Sequence, residues 1–225
     1  MTQNGHARVL DEETRALADR IVAKYPNKRS AALPLLFLVQ SVEGHVTETG
    51  MREVAGILGL TPAEVLATGS FYTMLKKKPT GEYLVSVCRN ISCTHMGARR
   101  IFDALEEHLG IEPGETTPDG RFTLEAAECL ATCDGAPSIQ VNYEDFYKVT
   151  PSSVVDIVDR LARGDEVLSE RGAAVKTHKE IAAETATAGL VSPDATEHGR
   201  TIGGESPRAD AAPGMRPKVV HERDA

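Results

Sequence analysis

The sequence predicts an α+β protein with three regions. They are an N-terminal helical bundle over residues 1–79, a small α/β domain with a mixed sheet over 80–164, and a low-complexity, mostly disordered tail over 165–225. Three observations predict this. Apolar residues recur at helical spacing as far as a Lys76-Lys77-Lys78-Pro79 boundary. Beyond it, strand-like runs alternate with amphipathic helices. From residue 165 onward there is no Phe, Tyr or Trp, and Ala, Gly, Glu, Pro and Thr dominate.

In the first region, Asp11 to Lys24 carries Leu17, Ile21 and Val22 among charges, and Pro26 ends that helix. Ala31 to Gln40 is a more apolar helix with Pro34 in its first turn. Met51 to Leu60 repeats the pattern with Val54, Ile57 and Leu58. Thr61-Pro62-Ala63-Glu64 reads as a capping box with proline at the first helical position, opening a short helix that ends near Gly69. Phe71, Tyr72, Met74 and Leu75 form one more apolar turn. Phe71 and Tyr72 read as core, with a partner surface as the alternative.

The second region opens with the strand Tyr83 to Cys88 (YLVSVC). Met96 to Leu109 follows as a helix with Ile101, Leu105 and Leu109 on one side. Residues 110–121 hold three glycines and two prolines and form a loop. Phe122 to Ala126 fits a short strand, Ser138 to Asn142 alternates as a strand does, and Asp145 to Val149 pairs with it across a tight turn. Thr150-Pro151 opens a final helix with Val154, Ile157, Val158 and Leu161 inward and Gly164 as its stop. In the tail, no sustained apolar period survives past Ile181. The pattern allows a short helix over 177–185, and the remainder has too little apolar surface to offset its ordering entropy. Removing residues 186–225 is accordingly expected to leave the core unchanged. There is no internal repeat.

The chain has 225 residues, 41% hydrophobic and 4% aromatic, with a formal net charge of −8. The acidic balance argues against nucleic acid as a partner while leaving room for a local basic docking patch. Met1 to Leu10 resembles neither a secretory signal nor an Arg-rich transit peptide. The longest apolar run, Leu33 to Val39, contains Pro34 and falls far short of the roughly 20 residues of a membrane-spanning helix. A soluble cytosolic protein without direct membrane insertion is expected. In that compartment clustered cysteines are metal ligands or redox groups more often than disulfides.

All four cysteines fall between residues 88 and 133, as Cys88–Cys93 (C-x4-C) and Cys129–Cys133 (C-x3-C). The first pair starts at a strand end. The second precedes the turn-rich Asp134-Gly135-Ala136-Pro137. Thiolates are soft donors suited to iron–sulfur clusters or zinc. A two-iron cluster takes two terminal ligands per iron, so its ligands arrive in twos. The all-cysteine cluster carries a charge of about −2 oxidised and about −3 reduced, so amide donors near sulfur favour the reduced form. Structural zinc is the main rival, although zinc knuckles usually use C-x2-C. A thiol–disulfide site would want C-x-x-C opening a helix, which is absent. Four structural core cysteines would be scattered rather than paired on loops. A Rieske site needs two histidines, and His95 has no companion near Cys129 or Cys133, so His95 reads as a surface or supporting residue. Lys76 to Lys78 reads as a solvated turn.

The segments Cys88-Arg89-Asn90-Ile91-Ser92-Cys93, Gly114 to Gly120 (GETTPDG), Phe122 to Glu125 (FTLE) and Glu128 to Pro137 (ECLATCDGAP) resemble the thioredoxin-like [2Fe–2S] subunits of respiratory complex I, the E subunits of bacterial NADH–quinone oxidoreductases. Met51 to Ala55 (MREVA) and Phe71 to Met74 (FYTM) match the helical part of that family. The resemblance covers roughly residues 10 to 163. It implies a helical bundle followed by a thioredoxin-like domain. It implies one [2Fe–2S] cluster on Cys88, Cys93, Cys129 and Cys133, a flavin- and NADH-binding partner subunit that carries FMN, and other peripheral-arm subunits around it. The location implied is the cytoplasmic, inner face of the membrane, reached through the parent complex. Related subunits serve NAD-linked hydrogenases and formate dehydrogenases. A free-standing ferredoxin or a zinc-stabilised interaction module is the reading of another class. In a thioredoxin-like fold the place of Pro137 often holds a cis-proline. No G-x-G-x-x-G or P-loop is present, and Gly203-Gly204 lies in the polar tail, so the chain alone is not expected to oxidise NADH.

Overall fold

In a computed structural model, residues 8–190 are described. Four helices come first: α1 Glu12–Ala23, α2 Ala32–Glu43, α3 Glu48–Leu58 and α4 Pro62–Phe71. Asp11 caps α1 by accepting from the Thr14 amide, and Thr47 caps α3 by accepting from the Gly50 amide. Thr61 and Glu64 form the expected capping box of α4, each side chain taking the other's backbone N–H, with Pro62 at the first position. α2 is the hub: α1, α3 and α4 all pack on it. Leu35, Leu36 and Val39 of α2 are fully buried, as are Val54 of α3 and Val65 of α4. Gln40, 1% exposed, fixes the following strand connection. Its Nε2 donates to the Met74 carbonyl at 3.1 Å and its Oε1 accepts from the Lys76 amide at 2.7 Å, so no buried polar atom of that side chain lacks a partner.

The second half is strand β1 Tyr83–Cys88, helices α5 Ile91–His95 and α6 Ala98–Leu109, strands β2 Phe122–Ala127, β3 Ile139–Val141 and β4 Glu144–Phe146, and helix α7 Pro151–Arg163. The sheet order is β2-β1-β3-β4. β1 runs parallel to β2 and antiparallel to β3, and β3 is antiparallel to β4. The predicted mixed sheet is therefore present. Strand side chains alternate between faces. Val85 and Val87 join Ile101 and Leu105 of α6 and Val154 and Val158 of α7 in one core. Ser86 points the other way and donates to Glu125 at 2.6 Å, which also holds Lys76 Nζ at 2.9 Å. Burial pushes the Glu125 carboxyl up, but its bonds to Ser86 and Lys76 outweigh that and hold it below the usual range.

Several expectations need correction. Phe71 and Tyr72 are not core: Phe71 is 78% exposed and Tyr72 43%, stacked edge-to-face on each other at the end of α4. Apolar type alone misplaced them. The helix predicted from Met96 begins at Ala98, because Gly97 just before it adopts φ 103°, and a short unpredicted helix, α5, precedes it. The hairpin partner of β3 begins at Glu144, because Asn142 and Tyr143, both left-handed at φ 48° and 72°, make the turn.

The largest correction is at 165–190, which composition alone assigns to the tail. Leu168 bridges Ala174, and α8 (His178–Thr187) packs against α2. Thr177 and Glu180 form its capping box. Ala182 and Ala186 are buried, so a cut at residue 186 would trim a packed turn. The buried Asn142 side chain stitches this segment on: its Oδ1 accepts from the Leu84 amide, and its Nδ2 donates to the Glu82 and Lys176 carbonyls. The disorder expected beyond residue 190, like the reading of Gly203-Gly204, falls outside the described residues. Among the described residues no single helix is long and apolar enough to cross a membrane.

His178 opens α8 with 2% exposure, and neither ring nitrogen has a hydrogen-bond partner. Its ring lies 6.4 Å from that of Tyr143. Burial, and then the Lys76 ammonium, push its pKa down to about 4, against an opposing pull from Glu125. The unfolded chain therefore takes up a proton below pH ~6.5 that the folded chain refuses until about pH 4. This part of the stability is full above pH ~6.5 and is lost as pH falls through the window, by about 2 kcal/mol between pH 7 and 5. Urea unfolding of wild type and His178→Leu at those two pH values should show the variant with the shallower decline. Equal declines would mean that His178 is not held neutral.

Candidate metal centre

The register of the parallel pair β1–β2 determines where the cysteines go. Tyr83 lies opposite Phe122, and the pairing runs without a break to Cys88 opposite Ala127. Both strands therefore end at the same edge of the sheet. Cys88 closes β1, and Cys129 stands two residues beyond the end of β2. The Arg89 amide donates to the Ala127 carbonyl at 2.9 Å, and the Arg89 and Glu128 side chains pair across the two strand exits.

Cys93 lies in α5, which Asn90 starts by accepting from the Ile91 amide through its side chain. One turn of helix returns Cys93 toward Cys88. These two cysteines and Ala98 form a small buried cluster, with Leu130 and Ala136 of the second cysteine loop packed on it. The two pairs differ in environment: Cys88 and Cys93 are buried, whereas Cys129 and Cys133 are exposed. All four are free thiols. Cys133 begins a 3-10 turn to Gly135 and lines an open groove of about 530 Å³ with Met96, Arg100, Pro137 and Val149.

Donors already surround the sulfurs. The Ala131 amide donates to Cys129 Sγ at 3.4 Å, from a residue at φ 59°. Cys93 Sγ stands 3.6 Å from Ser138 Oγ. His95, by contrast, is exposed at the end of α5, in line with the surface reading. Among the described residues no three His, Cys, Asp or Glu side chains converge as one mononuclear shell. The four thiols come as two pairs, one buried and one exposed, and a two-iron cluster would be held by four thiolates in all. The donor set, all soft sulfur with amide and hydroxyl donors beside it, fits such a group.

The Ala136–Pro137 peptide is cis, at the position suggested by the resemblance. Gly135, just before it, has no room for a side chain. A Cβ there would lie 2.4 Å from Tyr147 Cγ and 2.8 Å from Tyr147 Cβ. The Gly135 carbonyl also accepts from the Lys148 amide at 2.7 Å, so neither partner can retreat freely. Gly135→Ala should cost about 1–3 kcal/mol by overpacking and lower the iron retained per chain. Urea unfolding and iron analysis check both, and wild-type values in each would show that the loop yields without cost.

The model of the thioredoxin-like [2Fe-2S] ferredoxin family matches residues 18–162. The E subunit of the Mycobacterium tuberculosis NADH-quinone oxidoreductase is 51% identical over 156 residues, 69% of this chain and 62% of that protein. The chain thus spans about 62% of the length of these curated relatives. The E 2 subunit of the Rhizobium meliloti NADH-quinone oxidoreductase is 38% identical, with 73% of this chain and 96% of that protein covered. Subunit 2 of the Thermus thermophilus enzyme is 46% identical over 126 residues, covering 55% of this chain and 70% of that one. Among solved structures, an NAD+-reducing [NiFe]-hydrogenase in the H2-reduced state shares the fold, with a TM-score of 0.52 at 21% identity, covering 59% of this chain and 22% of that one. With the family model matched over residues 18–162 and a 38% identical relative covered almost end to end, the chain belongs to the thioredoxin-like [2Fe-2S] ferredoxin family, in company with the E subunits of NADH-quinone oxidoreductases.

Proposed function

We propose that this chain is the electron-transfer subunit of the NADH-oxidising module of an NADH–quinone oxidoreductase, with one [2Fe–2S] cluster held by Cys88, Cys93, Cys129 and Cys133. The observation that carries the reading is the parallel register of β1 and β2, which starts both cysteine-bearing loops side by side from the same end of the sheet. Relatives 51% identical are named as E subunits of that enzyme. When bound, the cluster supplies one-electron acceptance and donation. Cys88 and Cys93 would anchor it from the buried side. Cys129 and Cys133 would present its outer edge, so that a partner needs no opening of this fold to reach it. Ala131 N–H would stabilise the added negative charge at Cys129. The partner is a flavin- and NADH-binding subunit of the same complex, because splitting a hydride into single electrons requires a flavin, and FMN and NADH sit there. Other peripheral-arm subunits surround the pair at the cytoplasmic face of the membrane.

Cys88→Ser, Cys93→Ser, Cys129→Ser and Cys133→Ser should each weaken or abolish the cluster, since a hydroxyl is a harder and poorer ligand. Iron analysis and electron paramagnetic resonance after dithionite reduction read this out. A full, unaltered signal in any one variant removes that cysteine from the ligand set, and zinc in place of iron would remove the electron-transfer reading.

The isolated subunit with its cluster in place should not be bleached by NADH. Adding the flavoprotein partner should bring rapid bleaching of the cluster absorbance. Bleaching by NADH alone would demand a nucleotide site within this chain and overturn the division of labour.

A further inference from the structure

Ser138 lies just before β3 and is 1% exposed. Its carbonyl accepts from the Cys88 amide at 3.3 Å. Its hydroxyl faces Cys93 Sγ at 3.6 Å and Thr132 Oγ1 at 2.7 Å. Thr132 adjoins Cys133 and is itself 9% exposed. One buried side chain thus touches both the α5 cysteine and the second cysteine loop, while its backbone touches β1.

We infer that Ser138 is a positioning residue that sets the reduction potential, with its hydroxyl donating to Cys93 Sγ and the Thr132 hydroxyl donating in turn to Ser138 Oγ. The inference rests on the proposal that Cys93 is a cluster ligand. Proton bookkeeping sets the direction. A ligating thiolate has no hydrogen and can only accept, so the proton between Cys93 and Ser138 belongs to the serine. The Ser138 oxygen is then left with lone pairs, and the Thr132 hydroxyl supplies the proton of the 2.7 Å contact. The two hydroxyls form a relay that ends on sulfur, each donating once. Water is excluded from it, since Ser138, Thr132 and Cys93 are all buried, so the dipoles act in a low dielectric where they are strongest. Reduction adds one electron to the cluster and forms or breaks no bond in the relay. It raises the negative charge that the hydroxyl faces, so the bond is stronger in the reduced state and the relay favours reduction. Neighbouring hydrogen bonds of this kind are among the factors that set cluster potentials.

The test is a redox titration of the full-length, cluster-containing protein, followed by the electron paramagnetic resonance of the reduced form, with iron content measured alongside. Ser138→Ala should keep its iron and shift the reduction equilibrium roughly tenfold toward the oxidised form, a midpoint lower by about 59 mV for one electron. Thr132→Val, close in shape and without the hydroxyl, should shift it the same way by less. Ser138→Thr restores a hydroxyl and should return most of the shift, which a purely packing role would not do. Full iron with an unchanged midpoint in Ser138→Ala overturns this inference and leaves the ligand set standing, as does a Ser138→Thr midpoint as low as that of Ser138→Ala. If Ser138→Ala does not retain iron, Thr132→Val decides, since it leaves Ser138 in place, and an unshifted midpoint there overturns the relay. A wild-type chain without a two-iron signal overturns the ligand reading and this inference together.

Discussion

The parallel pairing of β1 with β2 is the constraint on which the cysteine site depends. In a parallel pair both chains leave the sheet at the same edge, and the segment between them must cross the sheet to start again. Here that crossover is α5, α6 and the loop to residue 121. Because Cys88 ends one strand opposite Ala127 near the end of the other, the C-x4-C and C-x3-C loops leave side by side. A slip of two residues in this register would keep every side chain on its face yet move Cys129 about 7 Å along the strand direction. What opposes such a slip is the apolar set Val85, Val87 and Leu124 under α6 and α7, together with the Ser86–Glu125–Lys76 chain on the other face.

The site gains from this an inside and an outside. Cys88 and Cys93 sit among Ala98, Leu130 and Ala136, shielded from solvent, while Cys129 and Cys133 sit on the surface beside an open groove. Electron exchange needs a short path to a partner, and it also needs ligands that do not hydrolyse away. In the proposed electron-transfer role, one loop would answer to each requirement. The buried hydroxyls of Ser138 and Thr132 and the exposed amide of Ala131 extend the division, because the first acts without solvent competition and the second does not.

Much of this was legible in the chain because local chemistry and tertiary role coincided. YLVSVC ends in a cysteine and is a strand to its last residue. Thr61-Pro62-Ala63-Glu64 and Thr150-Pro151 begin helices by the capping bonds their side chains suggest. The spacing of the cysteines led to the site with no need of the sheet. The rest was hidden for physical reasons. α5 is too short for any period to register, and its Ile91 and Thr94 are β-branched. The β3–β4 turn places a tyrosine at positive φ, which no turn rule would favour. Ser138 and Thr132 are ordinary small polar residues whose partners are distant in sequence or on another loop. The short helix allowed over 177–185 is α8, but its packing on α2 escaped, because its buried face is His178 with Ala182 and Ala186, two small residues that permit a close approach but carry little apolar signal.

That last helix changes how the molecule is divided. α2 is flanked both by helices that precede the sheet and by α8, which follows it, so the helical part is assembled from the two sides of the sheet sequence. α8 is joined to α7 by residues 164–177, and Lys179 Nζ and Lys24 Nζ add bonds to the Val42 and Ala188 carbonyls, respectively. A helix on so short a tether meets its groove at an effective concentration in the millimolar range. Its intrinsic affinity for α2 can therefore be weak and the face still stay covered. A free competitor in solution would have to overcome that local concentration, whereas a subunit already anchored beside α2 would compete on equal terms.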